Sequence, residues 1–106
     1  MEKRRVARFT FVASAELVES DSGTTSKCRV SELSRYGCYV DTLNPLPEGT
    51  AVSVKIFTTD EVFEAGAIIV YAHPRLGMGV SFLDVKPNFI QVLEGWLRNA
   101  PPTDQN

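Results

Sequence analysis

An all-β fold, a small six-stranded antiparallel β-barrel with one C-terminal α-helix, is what this sequence predicts. Three observations carry the prediction: apolar and polar residues alternate in six short runs, turn-forming residues separate the runs at near-regular spacing, and after Asp84 the apolar period lengthens from two to 3.6. The 106 residues are 43% hydrophobic and 23% charged, the composition of an ordinary globular chain and the size of one domain. Such a chain can bury a core without disulfide or metal staples.

The first run is the clearest. From Arg8 to Glu19, Phe9, Phe11, Ala13, Ala15 and Leu17 occupy odd positions against Arg8, Thr10, Ser14 and Glu16 in even ones, which predicts a long half-buried strand. Ser20 to Gly23 break it with turn residues, and Cys28 and Val30 alternate with Lys27, Arg29 and Ser31 to complete a hairpin. Gly37 permits a tight turn into a third strand, Cys38 to Leu43, and Asn44-Pro45-Leu46-Pro47-Glu48-Gly49 must be loop. Val52, Val54 and Ile56 mark the fourth strand. Val62 to Ala72 form the fifth, apolar on both faces around Ile68, Ile69 and Val70. After a turn at His73 to Leu76, Met78, Val80 and Phe82 alternate with Gly77, Gly79 and Ser81, and the glycines on one face predict close backbone approach there.

Phe89, Val92, Leu93, Trp96 and Leu97 then fall on one helical face, with Pro87 suited to the first turn and Pro101-Pro102 forbidding continuation. The expected layout is an N-terminal arm over 1–8, a barrel over 8–83, a helix over 86–99 covering the barrel's open end or seam, and a loose tail from Ala100 to Asn106. At this spacing Phe89, Trp96 and Leu97 read as core rather than as a docking face.

Charge narrows the function. The net charge is −2, yet the first eight residues carry +3 and the remainder −5, so a basic arm sits on an acidic body. An acidic body argues against a general nucleic-acid binder, and no apolar run approaches the ~18 residues of a membrane span. Two cysteines, Cys28 and Cys38, and a lone His73 cannot furnish a four-ligand zinc site, and an unpaired cysteine pair suits a reducing, cytoplasmic setting. No nucleophile or carboxylate pair accompanies His73, so no enzyme is expected.

Two short segments stand out. Arg4 and Arg8 lie four apart at the mouth of the first strand, a spacing that puts two guanidinium forks on the same side of an extended chain, suited to bidentate contact with phosphate or a guanine edge. At the turn between strands two and three, Glu32-Leu33-Ser34-Arg35-Tyr36-Gly37 offers a carboxylate, a hydroxyl and a turn glycine, with Tyr36 beside them able to stack or to pack.

With both segments in this order, the chain resembles the PilZ domains, bacterial receptors for the second messenger cyclic di-GMP. Arg4 and Arg8 match an RxxxR motif, Ser34 and Gly37 match D/N-x-S-x-x-G, and Val70-Tyr71 with Leu76-Gly77-Met78-Gly79-Val80-Ser81-Phe82 looks like the family's closing strands. The resemblance covers Lys3 to about Leu97. It implies a barrel whose arginine arm clamps cyclic di-GMP, often as an intercalated dimer. By that resemblance Arg4 and Arg8 bind phosphates and guanine edges, Arg5 assists, Ser34 contacts ligand and Gly37 holds the turn. Glu32 stands where the motif has Asp or Asn, keeping an acceptor one methylene further out and able to pair with Arg4 or Arg8 in the empty protein. No cofactor is implied, and the expected partners are cyclic di-GMP and an unknown protein effector, with no nucleic acid and no membrane. The alternative is a PilZ-like barrel that binds no nucleotide and acts as a protein adaptor, for which an exposed apolar patch around Trp96 or the Pro45 to Pro47 loop would be the contact surface.

Overall fold

The alternating runs become β1 (Arg8–Glu19), β2 (Thr25–Ser34), β3 (Gly37–Asp41), β4 (Ala51–Phe57), β5 (Val62–His73) and β6 (Gly77–Asp84), followed by α1 (Pro87–Asn99). This computed structural model describes residues 7–103. All neighbouring strands run antiparallel, and the sheet closes on itself in the order β1-β2-β3-β6-β5-β4. The closing seam is the pairing of β1 with β4, from Ser14 opposite Phe57 to Glu19 opposite Val52.

Each strand turns one face inward, and a barrel this small is filled by those side chains rather than by solvent. Leu17, Val30, Val40, Val54, Ile56, Phe63 and Ile69 are almost fully buried, with Ala13, Ala15, Ala65 and Ala67 supplying small residues between them. The helix lies over one end of this core, with Trp96 against Phe11 and Phe63. Leu93, Trp96 and Leu97 are buried beneath it. The Trp96 ring stacks on Phe11 at 4.9 Å, and Phe63 packs against Phe82 at 4.9 Å and edge-on to Phe89 at 6.2 Å. The indole N–H donates to Glu61 Oε1 at 3.0 Å, so the one polar atom of the plug has a partner. Trp96 is therefore core, and the exposed apolar patch required by the adaptor alternative is absent at that residue.

Two departures from strict alternation matter most. Val30 and Leu33 both point inward although they lie an odd three positions apart, because β2 carries one residue more than β3 between the pairs Val30–Val40 and Glu32–Tyr39. The extra residue, Ser31, is held by its hydroxyl donating to Asp41 Oδ1 at 3.0 Å, while Arg29 binds Oδ2 at 3.0 Å. On β5, Val70 is likewise the extra residue between the pairs Ile69–Val80 and Tyr71–Gly79. A bulge reverses the inside-outside parity of everything beyond it. Glu32 and Tyr71, which unbroken alternation would send inward, thus emerge on the outer surface.

The chain beyond the helix is not loose from Ala100, as the sequence suggested. β4 covers β1 only from Ser14 onward, which leaves the first half of β1 with an open edge. Residues 101–103 fill it: the Thr10 N–H donates to Pro101 O and the Thr103 N–H to Arg8 O, both at 2.9 Å, and Phe9 bridges Pro102. The prolines end the helix, and the carbonyl of Pro101 still serves as an acceptor. Residues 104–106 of the expected tail lie outside the described residues. Among the described residues no helix is long and apolar enough to cross a membrane.

Trp96→Ala removes the Phe11 stack and the bond to Glu61 and leaves a void under the helix. It is expected to lower the unfolding free energy by about 3–5 kcal/mol, measured by urea denaturation followed by far-UV circular dichroism; a loss below ~1 kcal/mol would refute the plug.

Candidate functional site

Because β1, β2, β3, β6 and β5 are neighbours in that order, the outward residues at the bulged positions share one surface. They line a cleft of about 280 Å³ that includes Arg8, Glu32, Ser34, Tyr36, Gly37, Tyr39, Val70, Tyr71, Gly79 and Ser81. Arg8 and Glu32 stand at its rim with Nη1 and Oε1 3.5 Å apart, their side chains 53% and 30% exposed. An ion pair this open to water is worth ~0–1 kcal/mol, so an incoming anion can displace the carboxylate at little cost. This is the pairing anticipated for Glu32 in the empty protein.

Ser34 is buried at the turn that follows β2. Its Oγ accepts the N–H groups of Tyr36 and Gly37, each at 3.1 Å, and donates to Gly37 O at 3.3 Å. The hydroxyl thus closes the turn by the same local bonding that makes serine a turn residue. The Tyr36 carbonyl accepts from the Phe82 N–H at 2.8 Å, and Arg35 pairs with Glu94 of α1 at 3.4 Å, tying the turn to β6 and to the helix. Gly37 is needed for a different reason from the one its place in a turn suggests. Its backbone is not in the left-handed region; instead, a Cβ there would collide with the carbonyl oxygen of Val80 on β6. The requirement is close approach across the β3–β6 pair rather than conformational freedom.

The floor of the cleft is aromatic and apolar. Tyr39 and Tyr71 lie with ring centroids 6.2 Å apart, and Tyr39 Oη is hydrogen-bonded to His73 Nδ1 at 3.1 Å. The Tyr39 phenol is pushed above its usual ionisation range, first by desolvation and then by Tyr71, Asp41 and Glu32, so it is neutral at physiological pH. Of the residues singled out in the sequence, Arg8, Glu32, Ser34, Tyr36 and Gly37 converge on this cleft, while Arg4 and Arg5 lie outside the described residues. Sequence reasoning missed Tyr39, Val70, Tyr71 and Ser81. The available signal was the Gly77-Met78-Gly79 alternation, whose bare face needs bulky neighbours to fill it.

Neither cysteine is a nucleophile at neutral pH. Burial, with Glu16 nearby, pushes the Cys28 thiol up to about 11, and Cys38, fully enclosed in the core, is raised further. The arrangement as a whole offers a guanidinium that an exposed carboxylate holds only weakly and a floor of tilted aromatic rings, which suits capture of a molecule carrying both an anionic group and an apolar ring.

The chain matches the family model of the PilZ domain over residues 2–99. It belongs to the PilZ family. Solved structures superpose on this PilZ domain at low identity. The PilZ domain of Escherichia coli YcgR, solved with c-di-GMP, aligns with a TM-score of 0.71 at 18% identity, covering 92% of this chain and 93% of that one. Bacillus subtilis MotI/DgrA, an inhibitor of motility, aligns with a TM-score of 0.72 at 14% identity over 92% of this chain and 51% of its own, so this PilZ domain spans about half that protein's length. The PilZ domain of CeSA from a cellulose-synthesizing bacterium gives 0.64 at 19% identity, covering 83% and 95%. At these identities the likeness establishes the fold. A search of curated proteins finds no significant match.

Ser34→Ala leaves two turn N–H groups without their acceptor and should destabilise the domain by about 1–3 kcal/mol; an unchanged thermal melt would show that the turn closes without the hydroxyl. The thiols predict a pH window. Below the ordinary thiol value of 9.0 Cys28 is neutral in both states, and between there and about 11 it ionises only in the unfolded chain, so stability falls as pH rises through that range. Native protein should accordingly resist iodoacetamide at pH 8, scored by intact mass, and be alkylated rapidly only once unfolded; prompt native labelling would contradict the burial of Cys38 and the raised thiol of the half-buried Cys28.

Proposed function

We propose that this PilZ domain is a non-covalent receptor for cyclic di-GMP that transmits the binding event to a protein partner, in the cytoplasm of a bacterium. The observation that carries the reading is convergence: Arg8 from the start of β1 and the Glu32 to Gly37 turn, distant in sequence, border one cleft. The planar guanidinium of Arg8 can bind phosphate oxygens in bidentate fashion once released from Glu32, and Arg4 and Arg5 add two further forks from the preceding segment. Glu32, freed in turn, is an acceptor for the N–H donors of a guanine edge. Ser34 and Gly37 act chiefly by fixing the turn against β6, which holds Tyr36 and Ser81 at the edge of the cleft. The complex of the YcgR PilZ domain with c-di-GMP, on the same fold, supports the choice of ligand. No bond of the ligand is made or broken in this reading, and no cofactor takes part.

A protein contact is part of the same proposal. At the end of the barrel opposite the helix, Leu43 and Leu76 are 72% and 67% exposed, on loops joined by the Thr42 N–H to Leu76 O bond at 3.1 Å. Exposed leucines brought together on adjoining loops suit a partner surface better than solvent. Such a contact would also serve the adaptor alternative, which differs only in lacking the nucleotide.

Isothermal titration with cyclic di-GMP, with GMP and cyclic di-AMP as controls, should give selective binding at micromolar affinity or tighter. The double variant Arg4→Ala/Arg8→Ala should abolish the heat while its circular dichroism stays that of the folded barrel. Undiminished affinity in that variant, or no binding by the unaltered folded protein, would overturn the receptor reading and turn the search to protein partners.

A further inference from the structure

Glu32 is a carboxylate that an unbroken strand period would have buried, and the side chains that hold the bulge before it lie outside the cleft. On the outer face of β2 and β3 the Asp41 carboxylate is bonded at both oxygens. Arg29, its partner in the ladder, reaches Oδ2 through Nη2 at 3.0 Å, and the Ser31 hydroxyl donates to Oδ1 at 3.0 Å. Ser31 is the bulge residue, with no opposite number on β3, and Glu32 follows it directly. Neither Ser31 nor Asp41 borders the cleft. Tyr39, the ladder partner of Glu32, is committed elsewhere, with its ring over Gly77 and its hydroxyl bonded to His73.

Burial decides that a bulge exists here, because Leu33 must face inward as Val30 does. It does not decide how the extra residue leans, since an unpaired strand residue has lost the ladder bonds that would orient it. The side-chain bond supplies that orientation. By holding Ser31 towards β3, Asp41 sets the direction in which the next side chain leaves the strand, towards Arg8 on β1, whose Nη1 lies 3.5 Å from Glu32 Oε1. Charge alone would argue for the opposite effect. Asp41 lies close enough to the cleft to act on the Tyr39 phenol, and a carboxylate there repels a phosphate-bearing ligand. Arg29 offsets that charge, so the bond to Ser31 is what Asp41 contributes. We infer that Asp41 is a positioning residue of the receptor site, acting through Ser31 to fix the bulge that aims Glu32 at the ligand. A group aimed before the ligand arrives need not be ordered by it. The inference rests on the cyclic di-GMP reading above and adds to it two residues outside both sequence motifs.

The test titrates cyclic di-GMP into the unaltered protein, Ser31→Ala, Ser31→Thr, Asp41→Ala, Asp41→Asn, Glu32→Ala and the double variant Ser31→Ala/Glu32→Ala, each checked by its thermal melt. Losing either partner of the bond, in Ser31→Ala or Asp41→Ala, should weaken binding by about 3- to 30-fold. Ser31→Thr and Asp41→Asn, which keep a hydroxyl and an acceptor, should stay within about twofold. In the Glu32→Ala background the change at Ser31 should cost no further affinity, although it still lowers the melt. If Glu32→Ala binds too weakly to titrate, the sign of the Asp41→Ala effect and the rescue by Asp41→Asn decide, because a role through charge alone would tighten binding in both. If Asp41→Ala does not fold, Ser31→Ala and its threonine rescue carry the test. Binding undiminished in Ser31→Ala, tighter binding by Asp41→Ala, or the same loss from Ser31→Ala with and without Glu32 would overturn the positioning role and leave the receptor reading standing. No binding by the unaltered protein would overturn both.

Discussion

Pairing of β1 with β4 turns a six-stranded sheet into a ring, and the remaining architecture follows from the geometry of that closure. A ring of so few strands encloses little space, so its interior tolerates one continuous set of apolar side chains and nothing else. Alanines at 13, 15, 65 and 67 face inward beside Leu17, Val54 and Phe63, a mixture of sizes within one buried cluster. Closure also removes most of the sheet edge that a six-stranded open sheet would have to protect, and residues 101–103 cover what remains along the first half of β1. What it cannot do is seal the two ends, which explains the aromatic plug of Phe11, Phe63, Phe89 and Trp96 at one and the packing of Leu46 near Met78 at the other.

With the interior committed to packing, any binding function must be written on the outside. The bulges at Ser31 and Val70 accomplish this by local insertion of single residues, with antiparallel pairing resuming on either side. They bring a carboxylate and a phenol to a surface that the regular period would have denied them. Bulges have no ladder partner and leave a residue to be satisfied by other means, as the Ser31 to Asp41 bond does. The close approaches at Gly37 and Gly79 complete the cleft by letting the Val80 carbonyl and the Tyr71 ring sit where side chains would otherwise stand.

Much of this was legible in the residues. Strand and helix periods differ enough that all six strands and the helix could be placed, and the buried, satisfied Trp96 agrees with the core reading of its helical face. Arg8 and Glu32 were visible as site candidates because charge on an acidic body and a motif spacing are one-dimensional features. Bulges are not. An inserted residue changes which face its successors occupy, and a run such as Ile68-Ile69-Val70-Tyr71 shows apolar residues on both faces without revealing where the parity reverses. That is why Tyr39 and Tyr71 went unnoticed as a floor. Gly37 was read as a turn glycine because the carbonyl that demands it, at Val80, is far away in sequence. The strip of backbone at 101–103 was missed for a related reason: two prolines announce where a helix stops and say nothing of which carbonyl will be used next.

That strip has a further consequence. The bond from Thr103 to the Arg8 carbonyl joins the last described residue to the first residue of β1, at the lip of the cleft. The two described ends of the chain therefore meet beside Arg8 at the edge of the barrel. A neighbouring domain attached on either side would be tethered close to Arg8, and a shift of that arginine would reach it as a change in direction of its linker. Signal output in such an arrangement needs no rearrangement of the barrel, only a different exit angle for the polypeptide.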